Sequence, residues 1–287
     1  MEREYYFSRV ILLGSGKLAW ECAVECRKRV ENVEVLEYRV TDSTILQKLC
    51  LKDNIRYLCC DKEQLCERLS AVTEETLVVS AGNTWLIPKE IVARENLYII
   101  NWHNALLPRH KGRNAEAWSI YEGDPQTGIT WHRLTAAVDA GDIILQKSVK
   151  IDNEITALEL FKQQCEMGAE SFRDILEKLL QKQCVLSPQP EGGNCKLHYS
   201  YEIPNGGYLD MSWGAEKMSR FLRAMDYGGL MLLGEMHILW QEKTYCFHKY
   251  KIEKADCRDA IVWRDQDMII YKDGQQITLK KLKSESA

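Results

Sequence analysis

Arg9-Val10-Ile11-Leu12-Leu13-Gly14-Ser15-Gly16-Lys17-Leu18-Ala19 passes from a short apolar run, through two glycines, into a helical pattern. A buried strand that feeds a helix through a tight glycine turn is a repeating unit of parallel α/β sheets. The pattern continues downstream. Helical spacing runs from Lys17 to about Val30, and strand-like runs follow at Val33 to Val40, Arg56 to Cys60, Thr76 to Ala81 and Leu97 to His103. Helical patterns at Ser43 to Asp53 and Lys62 to Val72 lie between them. Pro88 opens a further short helix, proline being favoured at a first helical position. This alternation predicts an α/β fold, a mostly parallel sheet with helices on both faces.

Beyond His103 the pattern changes. Gly128 to Leu134 and Ile143 to Ile151 read as two strands flanking a loop. A long helix is expected over 155–183, with Leu158, Phe161, Cys165, Phe172, Ile175 and Leu179 near helical spacing. Turn formers then accumulate in Ser187-Pro188-Gln189-Pro190-Glu191-Gly192-Gly193-Asn194, which places a linker at 187–195 between a domain of residues 1–186 and a smaller one of 196–287. In the smaller region Ala215 to Met225 predicts a helix. His237 to Trp240, Tyr245 to Tyr250, Ala260 to Trp263 and Met268 to Tyr271 predict short strands, with a tight hairpin at Asp273-Gly274 and a return through Leu279. Strands at this spacing suggest a small β-rich, OB-like domain.

The 287 residues carry 45% hydrophobic and 28% charged side chains, an ordinary globular balance. No apolar run approaches the roughly 20 residues of a spanning helix. The start, Met1-Glu2-Arg3-Glu4-Tyr5-Tyr6, lacks the basic-then-apolar layout of a secretory signal, so a cytoplasmic protein is expected, with no membrane association. A net charge of −4 argues against a general affinity for nucleic acid. Eleven cysteines form no Cys-x-x-Cys pair and are expected to be reduced thiols. Cys22 and Cys26, four apart on a helix, read as small buried residues rather than metal ligands; no metal is expected.

Gly14-Ser15-Gly16-Lys17-Leu18-Ala19 has the form G-x-G-x-x-A, and Glu37 lies near where a ribose-binding acid would sit. Three readings stand side by side: a bare strand-to-helix turn, an anion cradle in which Ser15 and Lys17 help backbone N–H groups hold a phosphate, and a dinucleotide site that would make the chain an NAD(P)-dependent oxidoreductase.

Asn101-Trp102-His103 closes the fifth strand. Alternation puts Asn101 and His103 on one side and Trp102 on the other, at the strand's C-terminal end, where open α/β sheets bind ligands. Asp139 follows in Val138-Asp139-Ala140-Gly141-Asp142. An amide, an imidazole and a carboxylate are the groups that acyl transfer to an amine asks for. Each also has a bland reading: a strand-end cap, a satisfied core histidine and a turn former.

From Asn101 the chain reads Asn-Trp-His-Asn-Ala-Leu-Leu-Pro, then Thr127-Gly128-Ile129-Thr130-Trp131-His132, then Val138-Asp139-Ala140-Gly141 and a later Gln146. In this order and spacing the chain resembles the 10-formyltetrahydrofolate-dependent formyltransferases, well over residues 8 to 183 and more loosely over 200 to 287. The family often has Ser where this chain has Ala105 and Pro where it has Asn114. Both departures lie near the loop that would meet the amine.

The resemblance implies a Rossmann-like catalytic domain and a transferase that uses 10-formyltetrahydrofolate as co-substrate. Asn101 would donate to the developing oxyanion, His103 would move protons, and Asp139 would orient His103 and favour its charged form. His132 is either beside the site or a cover for the sheet. A folate pocket is implied between Gly82, Thr84, Trp85, Leu86 and Ile87 on one loop and Val138 and Ala140 on the other. His110, Lys111 and Arg113, with Ser15 and Lys17, would attract an anionic acceptor.

The acceptor expected first is a primary amine on a nucleotide-linked amino sugar. An amino acid or peptide intermediate comes second, and Met-tRNA third. A dehydrogenase and a binding module with a decayed site are the rivals from other classes. The oligomeric state is left open, with a homodimer as one expectation.

Overall fold

A computed structural model describes residues 5–38, 44–192 and 195–284. Two compact units are distinguished: Met1–Lys111 with Gly128–Val149 and Gln163–Lys196, and Gly112–Thr127 with Lys150–Lys162 and Leu197–Ala287.

The chain begins with β1 (Arg9–Gly14), α1 (Gly16–Arg27), β2 (Asn32–Tyr38), α2 (Ile45–Lys52), β3 (Arg56–Cys60), α3 (Lys62–Ser70), β4 (Thr76–Ala81), α4 (Lys89–Val92) and β5 (Leu97–His103). It continues through β6 (Lys111–Gly112), α5 (Ala115–Glu122), β7 (Gln126–Arg133), β8 (Ile143–Lys150) and α6 (Ala157–Leu180). The seven-stranded sheet has the order β3-β2-β1-β4-β5-β7-β8. Neighbours from β3 to β5 run parallel, and β7 joins β5 antiparallel. This is the Rossmann-like arrangement expected from the sequence, with the strand order reversing beside β1. The expected ends Arg39 and Val40 of the second strand and Ser43 of the second helix lie outside the described residues.

Strand alternation sorts the sheet's side chains. Ile11, Leu13, Val78, Leu97 and Ile99 share one buried cluster with Leu65 and Leu69 of α3 and Ile91 of α4. On the opposite face Trp102 pairs across the strands with Trp131, whose indole N–H donates to Ser171 Oγ (3.0 Å) in α6. Gly168 lets that helix approach, since a Cβ there would lie 2.5 Å from Trp102 Nε1. A buried indole cannot swing aside as an exposed lysine would. Gly168→Ala therefore loses about 1–2 kcal/mol of stability, overpacking outweighing the gain in helix propensity. A lower urea midpoint at unchanged m-value checks this.

The helix of residues Ala115–Glu122 had no counterpart in the sequence reading. Its N-cap, Asn114, is left-handed (φ 56°), a conformation proline cannot take.

β6 and β9 (Leu197–His198) form a short pair, and the second unit continues with β10 (Tyr208–Leu209) and α7 (Ala215–Met225). The remaining strands are β11 (Met236–Trp240), β12 (Lys243–Phe247), β13 (Lys249–Lys254), β14 (Ala260–Arg264), β15 (Asp267–Lys272), β16 (Gln275–Lys280) and β17 (Lys283–Ser284). The β-rich region is present as two four-stranded sheets, β10-β11-β12-β17 and β13-β16-β15-β14. The single strand expected over Tyr245 to Tyr250 is two strands that part at His248 and pair in different sheets. The Asp273-Gly274 hairpin is formed, with both residues left-handed and Lys272 opposite Gln275.

Candidate active site

Register builds the site. Ser80 pairs with Asn101 across β4 and β5, and Asn101 pairs with His132 across β5 and β7. Three polar side chains therefore form one row across three neighbouring strands, near the C-terminal ends of β4 and β5. Ser80 Oγ donates to Asn101 Oδ1 at 2.7 Å. This fixes the amide with its nitrogen towards His132 Nε2 (3.1 Å) and Asp139 Oδ1 (3.5 Å). His132 Nδ1 sits 2.8 Å from the carbonyl of Arg133. A carbonyl only accepts, so Nδ1 carries a proton and Nε2 is the nitrogen that faces the Asn101 amide.

His103, two residues along β5, is 4% exposed. Its Nε2 lies 2.8 Å from the carbonyl of His110, which requires a proton on that nitrogen. In the neutral ring Nδ1 then holds the free lone pair, and Nδ1 is the atom that faces Asp139 Oδ2 at 3.5 Å. Asp139 Oδ1 also lies 3.5 Å from His132 Nε2. Burial pushes the His103 imidazole below its ordinary value, and the nearby Asp139 charge raises it only in part. The expectation that Asp139 would favour the charged ring gives the right sign for that one influence, but the net direction is down. His103 is thus neutral near pH 7, a base with one lone pair and a carboxylate placed to stabilise the proton it accepts.

The Leu106-Leu107 turn is pinned by two further motif residues. Thr130 Oγ1 donates to Ala105 O (2.6 Å) and receives Leu107 N (3.2 Å). Gln146 Nε2 donates to Leu107 O and Thr130 Oγ1, both at 2.9 Å.

The expected folate-loop residues divide. Gly82 is left-handed (φ 69°), and its carbonyl receives the Ser15 hydroxyl at 2.8 Å. Trp85, by contrast, is a core residue packed with Ile91 and Leu65, and the Asn83 side chain occupies both its N–H and its carbonyl. The position expected to face a ligand is used for structure instead. Ile87 also leans on the core, whereas Thr84, Val138 and Ala140 are exposed and Leu86 is 75% exposed.

Several of the residues expected to bind the anion already have partners or are buried. Ser15 spends its hydroxyl on Gly82 and its N–H on Ala81 O (3.3 Å). Lys17 pairs with Glu21 at 3.1 Å. A Cβ on Gly14 would sit 1.9 Å from Ala81 O, so this glycine serves close packing of the turn against β4. His110 is buried and supports His103 through its carbonyl, Lys111 is half-buried, and Arg113 is exposed in the second unit. Glu37 is 4% exposed and accepts from Thr44 (2.7 Å) and Tyr57 (2.8 Å), which removes it as a ribose ligand. Cys22 and Cys26 are fully buried, and burial raises both thiols. They behave as apolar packing.

A family profile described as formyl transferase matches residues 15–175, which contain every residue of this constellation. The chain belongs to that family. This formyltransferase is 26% identical over 224 residues to a GDP-perosamine N-formyltransferase of Brucella melitensis biotype 1, covering 76% of the present chain and 85% of that protein. Among solved structures it resembles the N-formyltransferase of Helicobacter canadensis in complex with folinic acid and dTDP-3-aminofucose. That likeness has a TM-score of 0.77 at 15% identity, over 95% of this chain and 99% of that one. WlaRD, a sugar 3N-formyl transferase crystallised in the presence of dTDP and 5-N-formyl-THF, gives 0.75 at 17% identity, over 99% and 100%. These two likenesses establish the fold. Among the described residues, no helix is long and apolar enough to cross a membrane.

Proposed function

We propose that this formyltransferase moves a formyl group from 10-formyltetrahydrofolate to the primary amine of a nucleotide-linked amino sugar. The convergence of Asn101, His103 and Asp139 around one point carries the reading. The sugar-modifying relatives support the acceptor class, since their own substrates and ligands are amino sugars, nucleotides and reduced folates.

The amine attacks the formyl carbon, a C–N bond forms, and the carbonyl oxygen becomes an oxyanion stabilised by one Asn101 amide hydrogen, the one held only at 3.5 Å by Asp139 Oδ1. His103 Nδ1 takes the proton released by the attacking nitrogen, and Asp139 stabilises the imidazolium formed. Collapse of the adduct breaks the bond to folate N10, which receives the proton. No covalent enzyme intermediate is required. Leu86 and Val138 offer exposed apolar side chains on the two loops assigned to the folate, suited to covering a flat ring. Residues 1–186 are assigned to catalysis and 196–287 to an accessory domain. The stretch between them includes two residues, 193 and 194, outside those described.

The test is direct. The purified protein is incubated with 10-formyltetrahydrofolate and a panel of nucleotide-linked amino sugars. Tetrahydrofolate release is followed by absorbance and the N-formyl product by mass spectrometry. Turnover with one nucleotide-sugar class is expected. Formylation of Met-tRNA or of an amino acid, with every amino sugar inert, would overturn the acceptor. Absence of tetrahydrofolate release with all of them would overturn the donor as well.

A further inference from the structure

Asp139 stands in a left-handed conformation (φ 46°), which a non-glycine residue adopts at a cost. Such a residue keeps its shape only where its surroundings hold it there. On one side the loop closes on β7, where Arg133 N donates to Asp142 O at 2.8 Å. A Cβ on Gly141 would lie 1.8 Å from Arg133 O, so the approach is as close as a backbone allows.

The other side is held by a segment whose composition reads as linker. Ser187 exchanges both backbone hydrogen bonds with Ile143, at 2.7 and 2.9 Å. This places Gln189, whose single amide nitrogen donates to Asp139 O (2.8 Å) and to Gly141 O (2.9 Å). Both amide hydrogens are thus used on the backbone of one turn. Among the described residues Gln189 Oε1 is buried with no hydrogen-bond partner, so the side chain's hydrogen bonds there are those of its two donors.

We infer that Gln189 is a positioning residue for formyl transfer, clamping the left-handed Asp139 turn so that its carboxylate stays beside His103 and Asn101. The inference rests on the catalytic reading of Asp139 above. Residues 187–189 are accordingly part of the catalytic apparatus.

Gln189→Met keeps the length of the side chain and removes both donors; Gln189→Glu keeps its shape and replaces the donors with an acceptor. A misplacement of about 1 Å at a reacting centre costs on the order of 100-fold. Both variants are expected to lose tenfold or more in kcat, with the KM of the amine within about twofold, since the amine is not held by this turn. Circular dichroism and the thermal midpoint report whether each variant folds.

Two readouts separate positioning from general support. The groups facing His103 are Asp139, His132 and His110, and only Asp139 raises its ionisation by charge. Releasing the turn should therefore move the acid limb of the kcat profile to lower pH. Gln189→Met combined with Asp139→Asn should be no slower than Asp139→Asn alone, because the clamp acts through that carboxylate. Native kcat in folded Gln189→Met and Gln189→Glu, or losses that multiply in the double variant, would overturn the clamp. If Asp139→Asn itself keeps full activity, the catalytic reading fails first. If it is inactive while both Gln189 variants work normally, only the clamp fails.

Discussion

Asp139→Asn lowers kcat for formyl transfer by roughly 100- to 10,000-fold, the range over which a positioned acid–base group contributes. Two effects act in the same direction. The carboxylate that stabilises the His103 imidazolium is lost. The new amide can also donate to His103 Nδ1, the lone pair that must receive the proton, across the present 3.5 Å separation. The sign of the pH dependence follows from the same geometry. In the native enzyme the acid limb of kcat reflects His103, below the ordinary imidazole value because burial outweighs the Asp139 charge. Removing that charge lets the ring fall further, so the limb of the residual activity moves to lower pH. The limb due to the amine acceptor is common to both proteins and cancels in the comparison. A limb that stays in place, with kcat within tenfold of native, would remove Asp139 from the chemistry.

Asn101→Ala costs on the order of 100- to 1000-fold in kcat, the usual loss for one oxyanion donor. The KM of the amine should change little, because the interaction strengthens only as negative charge develops on the formyl oxygen. A second consequence separates this role from simple support of the strand. Ser80 Oγ loses its acceptor and His132 Nε2 its partner, so Ser80→Ala alone should produce a much smaller loss by loosening the amide without removing it. Steady-state kinetics of both variants decide the matter. Equal losses would mean that Asn101 serves the hydrogen-bonded row and not the transition state.

Much of this arrangement was legible in the sequence because it follows from strand alternation. The apolar run from Leu97 to His103 places Asn101 and His103 together and turns Trp102 away, and the protein follows that pattern. Ser80 was missed because a single chain does not announce register. Its signal was nevertheless there, a lone polar residue near the C-terminal end of the buried run Thr76–Ala81. His132 was left open for the same reason: only the pairing of β5 with β7 puts it opposite Asn101. Gln189 was hidden by composition. Two prolines and two glycines surround it and look like a tether, but the backbone pairing of Ser187 with Ile143 depends on residues forty-odd positions away. Glu37 misled in the other direction, since sequence spacing placed it near a cofactor's ribose without revealing that Thr44 and Tyr57 already occupy it. The break at His248 escaped notice because one apolar stretch can serve two sheets without any change in its pattern.

The left-handed backbone of Asn114 limits how this chain could exchange parts with a relative that carries proline there. Proline's ring holds φ near −65°, so a loop carrying proline at that point must enter the following helix along another path. Chimeras made to swap acceptor preference should therefore carry the whole stretch from the end of β5 to the end of α5 as one cassette. Exchanging single side chains on it would ask one polypeptide route to serve two incompatible geometries.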